Sequence, residues 1–159
     1  MLSMNVSASD VISKLKAVPV SVQANVARAV QEGACRLLDR VQEKLSGEVL
    51  NPRSGALRRS IVETGIVVGP GSITDSVASD GSVPYARIQE YGGRMGIPEI
   101  VPGAAKALAF EYGGRLVFAR HTAAHVVDVP ERSFLRSSLA EQRSSLIEDI
   151  REAVIGSLS

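Results

Sequence analysis

Between Val22 and Leu45 the apolar residues Val22, Val26, Val30, Ala34, Leu37, Val41 and Leu45 recur every three or four positions. Gln23, Arg28, Glu32, Asp39 and Glu43 occupy the positions between them. That interval follows the helical repeat of about 3.6 residues per turn and predicts one long amphipathic helix with a single apolar stripe. Pro19 suits the first turn, where its missing N–H costs nothing, and Gly47 closes the pattern. Upstream, Ser7 and Asp10 stand at capping-box spacing before Val11, Ile12 and Leu15, which predicts a shorter first helix. A one-sided helix of this length needs a partner layer to cover its stripe.

The partner layer is legible as β structure followed by a closing helix. Asn51-Pro52-Arg53-Ser54-Gly55 is turn chemistry. A β-branched stretch, Ile61 to Val68, runs up to Gly69-Pro70-Gly71, and a strand fragment is expected around Ile73–Val77 before an exposed loop to Pro84. Two runs, Ala107–Tyr112 and Arg115–Arg120, flank Gly113-Gly114, the composition of a two-residue hairpin turn. Pairing Tyr112 with Arg115 sets Phe110 opposite Val117 and Leu108 opposite Ala119 on one face. Leu116 and Phe118 share the other face with Ala107 and Ala109. Both faces are apolar, so one should be covered by helices and the other by a neighbouring molecule. Gly92 to Pro102, with its glycines and prolines, reads as a mobile loop. Pro130-Glu-Arg-Ser opens a last helix through Leu135, Leu139, Leu146, Ile150 and Val154, ending at Gly156. The expected fold is α+β: the long N-terminal helix and the C-terminal helix packed on an antiparallel sheet centred on the Ala107–Arg120 hairpin, with residues 1–159 as one domain.

Composition limits the functions such a fold can carry. With 159 residues the chain has the length of one domain and needs no staples. Hydrophobic residues make up 45%, enough for a packed core, but aromatics only 4%, so Val, Leu, Ile and Ala must build it. Eighteen basic against seventeen acidic residues leave a net charge of +1, too little for a dedicated nucleic-acid or acidic-membrane binder. No apolar run nears the roughly 20 residues of a membrane-spanning helix. The N-terminus lacks a secretory pattern and the single Cys35 cannot pair within the chain, which fits a cytosolic history.

Catalytic constellations are sparse. His121 and His125 are four residues apart, but a zinc protease of that spacing carries a Glu beside the first His, where this chain has Thr122. Asp128 is a conceivable third ligand, and a metal-dependent enzyme on this pair is kept as a remote alternative to plain loop histidines. Cys35 lies on or beside the apolar stripe and reads as a structural thiol rather than a nucleophile. The glycines of Gly65–Gly81 lack any phosphate-loop ending. No cofactor is expected. Arg58-Arg59, with Arg53 nearby, is the densest basic cluster, and Tyr85 and Tyr91 flank Arg87 and Glu90 in a polar-aromatic patch of the kind enriched at protein interfaces. A solvated basic face and ordinary packing of the tyrosines are the bland alternatives.

The order of short motifs is more specific. Pro52-Arg-Ser-Gly-Ala-Leu-Arg-Arg-Ser-Ile61 resembles the Pro-x-x-Ser/Thr-Gly-x-Leu-Arg-x-Ser-Ile segment of the small head-to-tail joining (neck, or tail-completion) proteins of tailed bacteriophages, with one residue fewer after the proline. Pro84-Tyr-Ala-Arg-Ile-Gln-Glu-Tyr-Gly-Gly93 resembles their Tyr-Ala-x-x-x-Glu-Phe-Gly signature, Tyr91 replacing Phe. Ile100-Val-Pro-Gly-Ala-Ala-Lys-Ala-Leu108 is similar to the Pro-x-x-Ala-Lys-Ala-Leu stretch that leads into a hairpin. Pro130-Glu-Arg-Ser-Phe-Leu-Arg136 resembles Pro-Ala-Arg-Pro-Phe-Leu-Arg, departing at Glu131 and Ser133. A related virion-morphogenesis family shares two of these elements, which leaves the neck position open between tail completion and tail terminator.

The resemblance implies a non-enzymatic virion protein, assembled in the host cytoplasm, that joins the capsid connector to the tail. It implies a ring, commonly a hexamer, with head-closure or connector proteins on one side, tail terminator or tail tube proteins on the other, and DNA passing non-specifically through the lumen. A closed ring requires two different complementary surfaces per subunit. Tyr85–Gly93 is the candidate for one, and the hairpin with Phe134, Leu135 and Arg136 for the other. Phe134 and Leu135 could equally staple the last helix to the core. Arg58 and Arg59 complete the candidate interface set with Tyr85, Arg87, Glu90 and Tyr91.

Overall fold

A computed structural model describes residues 20–103 and 105–157, together with the backbone of 3–5. The helix expected over Ser7–Leu15 lies outside the described residues. In chain order the elements are β1 (Ser3–Asn5), α1 (Val20–Glu43), a π-helical turn (Lys44–Glu48), α2 (Ala56–Ser60), β2 (Ile61–Glu63), β3 (Val67–Gly69), β4 (Ser72–Thr74) and β5 (Ser76–Ser79). They continue with α3 (Ala86–Tyr91), β6 (Gly93–Ile97), β7 (Leu108–Tyr112), β8 (Arg115–Ala119), β9 (His125–Val129) and α4 (Leu135–Ile155).

The stripe on α1 organises the core. Val22, Val26, Ala34, Leu37, Val41 and Leu45 are buried, as the periodicity predicts. One cluster joins Ala34, Leu37, Val41 and Leu45 to Ile61, Val77, Phe134 and Leu135. A second joins Val22 and Val26 to Ile73, with Ile150 and Val154 of α4 packed against it. Gly33 lets the two long helices approach, because a Cβ there would run into the Leu146 side chain. Polar contacts tie the same seam. Arg36 pairs with Asp149. Buried Lys44 donates from Nζ to Ser137 Oγ (2.7 Å) and Glu141 Oε1 (2.6 Å). Arg40 bridges Glu43, Glu48 and Glu141. Lys44, and after it Arg40, holds the Glu141 carboxyl below its ordinary value.

The sheets are small and antiparallel. β5 lies between β1 and β2, with Ile61 opposite Ser79 and Met4 opposite Val77. β3 and β4 form a hairpin around Pro70-Gly71, and Gly71 (φ 81°) takes the left-handed position that a turn with proline before it requires. The β-branched run Ile61–Val68 is therefore two strands rather than one. Gly65, at φ 84°, turns the chain so that β2 joins β5 while β3 joins β4.

The architecture is α+β, with both long helices against antiparallel strands, but the layer they cover is β2, β4 and β5. The Ala107–Arg120 hairpin is not its centre. β7 and β8 pair in the expected register, Tyr112 with Arg115, Phe110 with Val117 and Leu108 with Ala119. Yet none of their side chains is buried, and Tyr112, Phe118 and Leu116 are 77%, 66% and 65% exposed. Period-2 patterning located the hairpin without saying which layer would cover it. The segment expected as a mobile loop is ordered in its first half, since β6 pairs with β9 from Gly93–Val129 to Ile97–His125. The last helix begins at Leu135 rather than Pro130, and the five residues before it have another role.

Candidate functional site

The start of α4 explains the Glu-aromatic-Gly signature. An α-helix leaves its first N–H groups without intrahelical partners. Here Glu90, buried at the end of α3, supplies them. Its Oε2 accepts from Phe134 N (2.7 Å) and Leu135 N (2.9 Å). Its Oε1 accepts from Arg136 N (3.0 Å), Ser133 Oγ (3.0 Å) and Arg136 Nε (3.2 Å). Ser137 N, the next donor, finds Ser133 Oγ at 3.2 Å. A negative side chain at a helix N-terminus also meets the positive end of the macrodipole. The neighbouring residues clamp the same junction. The Arg136 guanidinium lies 4.5 Å from the Tyr91 ring centroid, a cation–π contact, and pairs with Glu131 at 2.6 Å. A Cβ on Gly92 would stand 2.6 Å from Glu131 N and 2.9 Å from Val129 O, at φ 66°, so only glycine lets the two segments touch.

Candidate interface residues therefore divide. Glu90, Phe134 and Leu135 are buried within the chain, where Phe134 and Leu135 staple α4 to the core. Tyr91 and Arg136 are tied to each other across the junction. The two segments expected to form separate surfaces, Tyr85–Gly93 and Phe134–Arg136, meet inside one subunit. Arg58, Arg59, Tyr85 and Arg87 are exposed.

Three of the four motifs also converge on a groove of about 370 Å³ between the π-helical turn, α2, α3 and the segment before α4. Leu45, Leu50 and Leu57 are its apolar lining, and Tyr85, Gln89, Arg53, Arg58 and Arg132 its polar one. Arg59 does not join them. Its Nη1 donates to Ser54 O (3.0 Å) and holds the Pro52–Gly55 turn, while Ser54 Oγ accepts from Ala56 N at 3.3 Å. Sequence reasoning singled out Arg58 and Tyr85 but missed Gln89 and Arg132, whose place here depends on the Arg132 N–Gln89 O hydrogen bond (3.0 Å) between distant segments.

The catalytic candidates do not assemble. His121 and His125 lie on non-helical chain, so their spacing does not set them on one helical face. His121 Nδ1 stands 3.1 Å from Glu99 Oε1, His125 Nδ1 stands 3.0 Å from Ala123 O, and Asp128 faces Arg94. Among the described residues no group of three His, Cys, Asp or Glu side chains could hold a metal ion. Cys35 is exposed rather than buried, because it sits beside the stripe instead of on it. Its Sγ donates to Glu63 Oε2 at 3.3 Å, and that carboxylate, with burial second, pushes the thiol up, opposite to what a nucleophile needs.

The family described as "Bacteriophage HK97-gp10, putative tail-component" matches residues 9–92, which run from before α1 through the Glu-Tyr-Gly signature. The chain belongs to the HK97-gp10-like family. It is thus a structural phage tail-component protein, and its place is the virion. No curated protein and no solved structure matches it. Among the described residues no helix is long and apolar enough to cross a membrane.

Proposed function

We propose that this tail-component protein is a ring subunit, in a sixfold ring, that joins the capsid connector to the tail around the DNA channel. The convergence of three family-like segments on one groove carries the reading: Pro52–Arg58, Tyr85–Gln89 and Arg132 are far apart in sequence and share one exposed face. The groove face is the contact to a neighbouring protein of the junction. The β7–β8 hairpin, with Phe110, Tyr112, Leu116 and Phe118 apolar and exposed on both faces, is the surface that meets the next subunit of the ring. Arg58 and Tyr85 belong to the groove face, while Arg87 is exposed on α3 outside its lining. Tyr91 and Arg136 clamp the junction with α4, and Glu90, Phe134 and Leu135 are buried there. A net charge of +1 suits a lumen that lets DNA pass, since few phosphate contacts give little salt-dependent grip.

Size exclusion with light scattering tests the reading, on the protein alone and mixed with particles arrested before tail attachment. The expected result is a ring, or a monomer that joins the arrested particles and restores tail binding. Capping of isolated tail tubes instead would make the protein a tail terminator. A stable monomer that ignores both would overturn the reading. Replacing Arg58 by Glu should abolish joining, with Arg59 left in place to hold its turn; unchanged assembly would remove Arg58 from the interface.

A further inference from the structure

The lining of the groove is unbalanced in a way that specifies its occupant. Arg53, Arg58 and Arg132 all line it, no carboxylate does, and among the described residues none of the three guanidiniums has an ion-pair partner. Beneath the arginines lie Leu45, Leu50 and Leu57, and to one side Gln89, whose Oε1 is buried without a donor. Guanidiniums favour carboxylates in forked geometry, a leucine floor favours apolar side chains, and an orphaned amide oxygen favours a backbone N–H.

We propose that the groove binds a short extended segment of another protein of the assembly, in which carboxylate side chains alternate with leucine-sized apolar ones. The inference rests on the head–tail joining reading and names the chemistry of the partner at that surface. A phosphate backbone fits less well, because it offers neither an apolar group to the leucines nor a donor to Gln89. A second copy of this chain fits less well too. Its hairpin arm brings Arg115, Arg120 and Lys106 against a single Glu111.

The test uses the full chain and a labelled synthetic peptide of alternating aspartate and leucine, read by fluorescence anisotropy at low salt. Binding should weaken about tenfold for each of Arg53→Ala, Arg58→Ala and Arg132→Ala, and stay unchanged for the distant Arg143→Ala. Gln89→Leu, which removes an unsatisfied acceptor and should leave the fold intact, should cost about fivefold. A peptide with serine in place of leucine should bind more weakly than the leucine form. Equal binding of the two peptides, indifference to the arginines, or no binding at all would overturn the proposal. So would duplex DNA that displaces the peptide through the same three arginines. The same variants go into the arrested-particle assay. Joining without peptide binding would sink the groove chemistry alone, whereas peptide binding without joining would sink the head–tail reading and leave the groove chemistry standing.

Discussion

The junction between α3 and α4 and the β7–β8 hairpin are opposite solutions to one problem. Each is a short stretch of chain that must satisfy its backbone and dispose of apolar side chains. At the junction the first N–H groups of α4 are answered by Glu90 and Ser133, and Phe134 and Leu135 are buried. In the hairpin the two strands satisfy each other, but each keeps an open edge, and Phe118 and Leu116 face outward. The junction is finished within one subunit. The hairpin leaves its apolar side chains exposed, and an apolar surface with free strand edges invites association.

If the junction is the structural side of that contrast, breaking it should cost stability above all. Glu90→Ala strands the donors of Phe134, Leu135 and Arg136 in a buried site, and urea unfolding should show a loss of about 3 kcal/mol or more. Glu90→Gln, which turns an acceptor into a donor facing donors, should recover only part of it. A loss below about 1 kcal/mol for the alanine variant would mean that water replaces the carboxylate and that the junction is not buried in solution. Gly92→Ala should follow at about 2 kcal/mol, since the new methyl meets backbone at Glu131 and Val129 while holding a positive φ. Tyr91→Leu, in contrast, should cost less than either, because it removes only the stacking on Arg136.

The two regions were not equally legible. The α1 stripe gave the core directly, as helical period and burial are the same physical statement. The hairpin register followed from Gly113-Gly114 and strict alternation. What the pattern left out was partner choice. Nothing local says that Ile61–Val68 breaks at Gly65, that Met95 pairs across to Val127, or that the layer under α1 is β5 rather than β7. Glu90 was visible as a motif residue but read as a surface one, because a buried carboxylate is unusual until its donors are known to come from residues more than forty positions away. The groove needed the same knowledge, as Arg132 reaches it only through that junction.

A smaller effect sharpens the contrast from inside the sheet. Asp75, between β4 and β5, is buried, and burial first, then its hydrogen-bonded approach to the Glu63 carboxyl, pushes its carboxyl up to about 6. Over the range from its ordinary value near 3.8 to about 6 the folded chain holds this proton more tightly than the unfolded chain. Stability from this group is therefore full below that range and is lost as pH rises through it. Asp75→Asn should raise stability at pH above 7 by roughly 1–2 kcal/mol, or several degrees in Tm, and flatten the decline between pH 4 and 6. Glu141, held down by Lys44 and Arg40, acts in the other sense: its contribution is lost as pH falls. A variant that still weakens between pH 4 and 6 would move the titrating group away from Asp75.

The smallest expected change in stability belongs to the hairpin, and there the smallness is informative. Leu116→Ser with Phe118→Ser removes two large apolar side chains, which in a core would cost several kcal/mol. At 65% and 66% exposure they have little burial to lose, so the monomer's unfolding should shift by no more than about 0.5 kcal/mol. Self-association and joining to arrested particles should fall sharply, because the same surface is then deprived of its apolar contact. A large drop in monomer stability would place the hairpin against the helices in solution and make it part of the core layer. No change in either stability or assembly would overturn the hairpin's place as the surface that a neighbouring subunit covers.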